Sequence, residues 1–296
     1  KILTIIFDGF GMKESDYGNA IINANMVNFN KFYNENPHTT LFASGHYVGL
    51  HDGQFGNSEI GHQTIGAGRL IKSREVLTDE YLDNLYLNED ENIQKLKGLT
   101  SKTIHLMGLA SDGNVHAGID DFIKMYEYLI KIGFTKIFFF FFTDGRDTDS
   151  KAAYNYISLI EKNIQKNKVG CIASICGRYY AMDRDKNYDR TKVYYDLVTK
   201  GRGIEILNIE NALKSSYDKG ITDEFLRPMM INREGTIKDG DVLIWMNYRS
   251  DRSKQILLAL TNPKFTEFDV TLMPNLEVFT FFNHDKLIKA NVLINE

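Results

Sequence analysis

Cysteine, proline and long apolar runs are what this chain has least of. Its 296 residues include only two cysteines and four prolines. Cys171 and Cys176 have the spacing of a strand and its following turn. The further cysteines of a thiolate metal site are lacking, so the pair reads as buried thiols of a reducing compartment. With so few prolines, no Pro-rich linker marks a domain boundary. No run approaches the ~18 apolar residues of a membrane helix. The net charge of −4 gives no global attraction to nucleic acid or to an anionic membrane. The opening Lys1-Ile2-Leu3-Thr4-Ile5-Ile6-Phe7 is too short and too β-branched for a signal peptide. A cytoplasmic protein, with neither nucleic acid nor membrane as partner, is the expectation. There is no internal repeat, and the only low-complexity tract is a run of phenylalanines.

What is present is a soluble composition, 43% hydrophobic and 25% charged, in a length that fits two domains or one large one. Strand, glycine or aspartate turn, and helix alternate along it. The pattern predicts strands at 2–7, 39–43, 103–109, 135–142, 169–175, 242–247 and 277–282. It predicts helices at 23–34, 58–65, 74–86, 117–132, 151–167, 190–199, 207–216 and 251–261. Alternation of this kind is the mark of an α/β fold with largely parallel sheets. The six-residue run Ile137–Phe142 reads as a strand buried on both faces.

Ligands of open α/β sheets bind beyond the carboxyl ends of the strands. Five predicted turns of that kind carry chemistry: Asp8-Gly9, Ser111–His116, Thr143–Asp147, Gly177–Asp185 and Tyr248–Arg252. Lysine is the default cation, 24 against 11 arginines, yet Arg146, Arg178, Arg184, Arg249 and Arg252 crowd into three of these turns. Guanidinium forks grip phosphate or carboxylate at two points, so the crowd reads as a basket for a small, multiply anionic substrate. Pairing with the adjacent Asp147, Asp183, Asp185 and Asp251 is the competing account.

Gly53-Gln54-Phe55-Gly56-Asn57-Ser58-Glu59-Ile60-Gly61-His62 sets a serine at the start of a helix, where unpaired N–H groups favour an oxyanion. Ser58 is thus a candidate phosphoryl acceptor. Asp8 either holds a divalent cation or caps its own turn. His116 is a candidate proton shuttle or substrate ligand. His62, four residues after Ser58, is a weaker candidate on the same helix face. His46, His51, His105 and His284 read as surface or core residues.

Taken in order, these motifs resemble the cofactor-independent (2,3-bisphosphoglycerate-independent) phosphoglycerate mutases. The likeness rests on Asp8-Gly9, Ala43-Ser44-Gly45 with Val48-Gly49-Leu50, and Gly53–His62 with Ile65-Gly66-Ala67-Gly68-Arg69. It continues through His105–Leu109 with Ser111-Asp112-Gly113, then Thr143–Asp147, Gly177–Asp185 and Asn247–Arg252. The resemblance implies interconversion of 3-phosphoglycerate and 2-phosphoglycerate with two divalent cations, usually Mn2+. It implies part of an alkaline-phosphatase-like domain (1–72), an inserted α/β phosphotransferase domain (73–291) and a linker back (292–296). By the same resemblance Ser58 is the nucleophile that becomes phosphoserine, and Asp8 and Ser58 are metal ligands. His116, Arg146, Asp147, Arg178 and Arg184 grip the glycerate, Arg249 and Arg252 bind the phosphate, and Asp147 shuttles protons. Two departures stand out. The family carries a long C-terminal part with further Asp and His ligands, so residues 1–296 alone are expected to be inactive unless a missing region or a second chain completes the site. The family also commonly has a histidine where Phe140 stands. The alternatives are another phosphomutase of the alkaline phosphatase superfamily, or a non-catalytic structural homologue or assembly subunit.

Overall fold

The computed structural model describes residues 2–295, so Lys1 and Glu296 of the predicted first and last segments lie outside the described residues. The chain divides into two compact units, Lys1–Ser73 and Arg74–Glu296.

Unit one contains α1 (Ala20–Asn23), α2 (Val27–Glu35) and α3 (Ser58–Ala67). The helix predicted at 23–34 is split, because Asn19 caps α1 through Ile21 N–H and Ile22 N–H and the chain turns extended at Ala24. The predicted strands 2–7 and 39–43 do not form. A strand needs a ladder partner, and among the described residues unit one offers none. Ile2, Leu3, Ile5, Ile6 and Phe7 are exposed, Ile2 to 97%.

Unit two runs α4 (Arg74–Asp83), α5 (Glu91–Lys97), β1 (Ile104–Ala110), α6 (Ile119–Ile132), β2 (Ile137–Thr143), α7 (Ala153–Asn167), β3 (Cys171–Gly177) and α8 (Arg178–Ala181). It continues with α9 (Tyr188–Lys200), β4 (Ile204–Glu205), α10 (Ile209–Tyr217), β5 (Met229–Met230), β6 (Val242–Trp245), α11 (Lys254–Thr261), β7 (Glu277–Thr280) and β8 (Asn291–Val292). One eight-stranded sheet has the order β4-β5-β3-β2-β1-β6-β7-β8. Every pairing is parallel except β3 with β5. This is the α/β architecture the alternation predicts, with α5, α8 and the two-residue strands β4, β5 and β8 added. Several helices start later than predicted, α6 at Ile119 and α11 at Lys254.

Phe139–Phe142 and Trp245 are completely buried, so the phenylalanine run is core, with Phe138 half-buried at its start. Phe140 packs with its ring 5.5 Å from that of His105, whose Nε2 lies 3.0 Å from Asp241 Oδ2. His284 is likewise buried. Both cysteines are free, but Cys171 is half-buried at a strand start and only Cys176 is core, which corrects the expectation of two buried thiols.

The connections β1-α6-β2-α7-β3 step along the sheet one way, and β6-α11-β7 steps the other way. Right-handed crossovers then place α6 and α7 on one face and α11 on the opposite face. The order reverses between β1 and β6, and a reversal of this kind opens a crevice at the carboxyl ends of the two strands.

Candidate functional site

In unit one Ser58 is the first residue of α3. Asn57 caps the helix, its side chain accepting from Ile60 N–H at 3.1 Å. Gly56 is required there, since a Cβ would stand 1.8 Å from Ala43 O. Ser58 Oγ donates to Asp8 Oδ2 at 2.8 Å across fifty residues of sequence. His62 Nδ1 lies 2.8 Å from Ser58 O and 3.1 Å from Ser58 Oγ. Asp8, Ser58 and His62 are therefore together, with the hydroxyl held between a carboxylate and an imidazole. Hard oxygen donors such as these suit Mg2+ or Mn2+. Two oxygens and one imidazole do not complete a coordination sphere, however. No group of three or more His, Cys, Asp or Glu among the described residues could hold a metal ion. The donors present do not by themselves fit a resident divalent cation.

In unit two, four of the five loaded turns fall on one edge of the sheet. Asp8-Gly9 belongs to unit one and has no strand before it. Register sets the rest: Ala110 pairs Thr143 and Thr143 pairs Gly177, so the turns after β1, β2 and β3 start side by side. Asp144 organises them. Its Oδ1 accepts the N–H groups of Arg146 (3.1 Å) and Asp147 (3.0 Å), and its Oδ2 accepts from Ser111 Oγ at 2.7 Å. Arg178, 3% exposed, donates to Asp144 Oδ1 at 2.7 Å and to Asp147 Oδ2 at 2.5 Å. Burial raises the Asp144 carboxyl, but the Asp147 N–H, the Ser111 hydroxyl and the Arg178 charge outweigh it and hold it below the usual carboxylate range.

Arg184 Nη1 donates to Asp251 Oδ2 at 2.7 Å, and Arg249 Nε lies 3.5 Å from Asp251 Oδ1. Arg252 Nη1 donates to Met182 O at 3.0 Å. Burial first, then the charges of Arg178, Arg184 and Arg146, press the Arg252 pKa below its ordinary value. That mutual influence places the cations of separate turns within electrostatic reach of one another. Arg146 is the outlier, half exposed and 3.5 Å from Glu224. His116 is buried beside them, its Nε2 4.0 Å from Asp147 Oδ2 and its Nδ1 without a hydrogen-bond partner. Burial, then Arg178 and Arg249, push its pKa down to about 3, so it is neutral at pH 7.

The Tyr248–Arg252 turn is held from two sides. Tyr248 N–H donates to His116 O at 2.8 Å. Arg74 Nη1 donates to Ser250 Oγ at 2.7 Å, and His284 Nδ1 lies 3.2 Å from the same oxygen. Asn247 Oδ1 accepts from Leu109 N–H at 2.9 Å, tying β6 to β1 at the switch point.

All seven predicted residues of unit two thus sit in one neighbourhood, six of them converging and Arg146 at its rim. Local pairing with aspartate also occurs, so the two sequence accounts of the arginines are compatible. Sequence reasoning gave no role to Asp144, Asn247, Ser250 or Glu224. Asp144, an aspartate opening a strand-end turn, had a local signal; the others act through tertiary contacts.

The profile of the family described as "BPG-independent PGAM N-terminus" matches residues 73–286. The chain is 39% identical over 294 residues to the 2,3-bisphosphoglycerate-independent phosphoglycerate mutase of Bacteroides thetaiotaomicron, covering 98% of this chain and 58% of that protein. It is 37% identical to the enzyme of that name from a Picosynechococcus species, covering 98% and 56%. The chain spans little more than half the length of these curated relatives. Among solved structures, Leishmania mexicana phosphoglycerate mutase, crystallised at low cobalt concentration, superposes with a TM-score of 0.76 at 27% identity. That match covers 86% of this chain and 50% of the other. On the profile match over most of its length, the chain belongs to the BPG-independent PGAM N-terminus family.

Proposed function

We propose that the protein acts in the interconversion of 3-phosphoglycerate and 2-phosphoglycerate, with unit two holding the glycerate and Ser58 of unit one accepting the phosphoryl group. The observation that carries this reading is the gathering of Arg178, Arg184, Arg249 and Arg252 around a neutral His116 and a paired Asp147. Such a set suits an acid with two anionic ends and one free hydroxyl beside its phosphate ester. Ser58 Oγ attacks phosphorus while its proton passes to Asp8, and the glycerate oxygen leaves. Asp147 moves the proton between the substrate hydroxyls, and the other hydroxyl then attacks the phosphoserine. Retaining the glycerate in the basket keeps water from ending the cycle as a phosphatase; positioning and charge neutralisation supply most of such catalysis.

Under this reading unit one is part of a phosphatase-like domain, unit two is the inserted phosphotransferase domain, and the protein works in the cytoplasm. Divalent cations, Mn2+ first among them, would take Asp8 and Ser58 as two of several ligands and would lower the charge on the transferred phosphoryl group, the remaining ligands coming from a further region or from a second chain. The exposed apolar segment 2–7 then pairs with strands from the same source. Residues 1–296 bind substrate without turning it over.

Calorimetric titration of the chain with 3-phosphoglycerate tests the basket. Binding by the native chain and its loss in Arg249→Ala/Arg252→Ala is the expected result. No heat with the native chain overturns the reading in favour of a non-catalytic homologue.

A further inference from the structure

Gln255 touches none of the groups assigned to substrate, yet its side-chain amide holds the loop that carries Arg184 at two points and the first turn of α9 at a third. It is the second residue of α11 and is buried. Its Oε1 accepts the Lys186 N–H at 2.8 Å. Its Nε2 donates to Asp183 Oδ1 at 3.0 Å and to Thr191 Oγ1 at 2.9 Å. Asp183 Oδ1 also accepts the N–H groups of Asp185 (3.1 Å) and Asn187 (2.9 Å), closing the loop upon itself. Lys186 stands at φ +63°, a left-handed conformation that costs a side-chain-bearing residue and needs support.

We propose that Gln255 is a positioning residue, fixing the 183–187 loop to α11 so that Arg184 and Arg252 meet one bound phosphoglycerate. The inference rests on the reading of the site given above and adds a residue to it. Two other links join the same segments, Arg184 to Asp251 and Arg252 to Met182 O. Both use guanidinium donors that an incoming oxyanion competes for. Gln255 is neutral and buried, so its bonds persist when the anion arrives. It preorganises the arginines, and preorganisation is read as affinity. A glutamate could not replace it, since a second carboxylate would face Asp183.

The test uses the 296-residue chain, 3-phosphoglycerate and calorimetry, with thermal unfolding followed by the fluorescence of Trp245. Gln255→Met, close in volume but without the three bonds, is expected to weaken binding about tenfold and to lower the melting temperature by roughly 5–10 °C, the chain remaining folded at 25 °C. The loss acts through Arg184, so Gln255→Met in an Arg184→Ala background should cost less than twofold. Lys186→Gly in the Gln255→Met background should restore part of the affinity, because glycine adopts the left-handed conformation unaided. Native affinity in Gln255→Met, or losses that multiply with those of Arg184→Ala, overturns the proposal. No binding by the native chain overturns the phosphoglycerate reading and the proposal with it; binding that depends on Arg184 and not on Gln255 overturns the proposal alone. If Gln255→Met does not fold, Thr191→Val, which removes one bond of the amide, should lose about threefold in the native background and nothing in Arg184→Ala. Multiplying losses there overturn it equally.

Discussion

Acid should unfold unit two in part through His284. Burial first, then the charges of Arg74 and Lys254, push its pKa from the ordinary 6.5 down to about 3. Between these values the unfolded chain binds a proton that the folded chain refuses. The stability from this group is therefore whole above about pH 6.5 and is lost as the pH falls toward 3. At pH 4.5 the loss amounts to about 2.7 kcal/mol, two pH units at about 1.36 kcal/mol each. That is a large share of the 5–15 kcal/mol that roughly separates folded from unfolded domains. His284→Gln removes the titration and leaves an amide able to meet Ser250 Oγ. The variant should lie within about 1 kcal/mol of the native chain at pH 7.5, the worth of one hydrogen bond. It should overtake the native chain near pH 6 and lead by about 2 kcal/mol at pH 4.5, or roughly 4–8 °C in melting temperature. Trp245, the only tryptophan and buried in β6, reports on unit two alone in urea unfolding. Parallel stability profiles for the two proteins between pH 7.5 and 4.5 would refute the reasoning.

Asp121 carries the opposite sign. Burial and then Asp79 push its pKa up to about 8, so the folded chain keeps a proton that the unfolded chain loses above its ordinary value. Asp121→Asn should be more stable than native by up to about 4 kcal/mol at pH 7, with the advantage vanishing toward pH 4 in the same urea assay. Arg178→Lys cannot span Asp144 and Asp147 with one ammonium. It should cost about 1–3 kcal/mol of stability in urea unfolding and at least tenfold in calorimetric affinity for 3-phosphoglycerate. Gly145→Ala forces a side chain to φ +69°, with its Cβ 2.8 Å from Glu224 N. It should destabilise unit two by about 2 kcal/mol or more and displace Arg146 and Asp147; a melting temperature within 1 °C of native would contradict this.

The five longer strands of unit two, β1, β2, β3, β6 and β7, were legible because each is an apolar run flanked by turns, and a strand buried on both faces has little other sequence. The same signal misled at 2–7, whose residues are as apolar and β-branched as those of β1. Composition records that a segment suits a sheet and is silent on whether a partner strand is present. β4, β5 and β8 were invisible because two residues have no periodicity, and their pairing follows from neighbours already in place. The arginines were legible because their residue type departs from a lysine-rich background. Asp144, Asn247 and Gln255 were harder, since each gains its role from register: Thr143 beside Gly177, Leu109 beside Asn247, α11 beside the Asp183 loop. Glu224 reaches Arg146 from almost eighty residues away with no local mark. Ser58 and Asp8 were legible as joint candidates around a cation; the direct 2.8 Å bond between them is a product of folding.

The free basket is partly neutralised from within, Arg178 by Asp144 and Asp147 and Arg184 by Asp251, while Arg252 meets a backbone carbonyl and the field at His116 stays positive. An anion entering it competes with these carboxylates and turns the field felt by His116 from positive to negative. One unit of negative charge at about 5 Å is worth roughly 3 kcal/mol at an effective dielectric constant near 20, or about two pH units. The His116 pKa should then climb from about 3 to about 5 for a single charge and toward 7 for a phosphoryl dianion. Binding should draw a proton from solvent at pH 5.5 and none at pH 8. Titration with 3-phosphoglycerate in two buffers of different ionisation enthalpy counts the protons. His116→Gln subtracts those the ligand itself exchanges. An equal proton count for native and variant at pH 5.5 would mean that the anion does not settle against His116. The arginines would then serve only to bind their own aspartates.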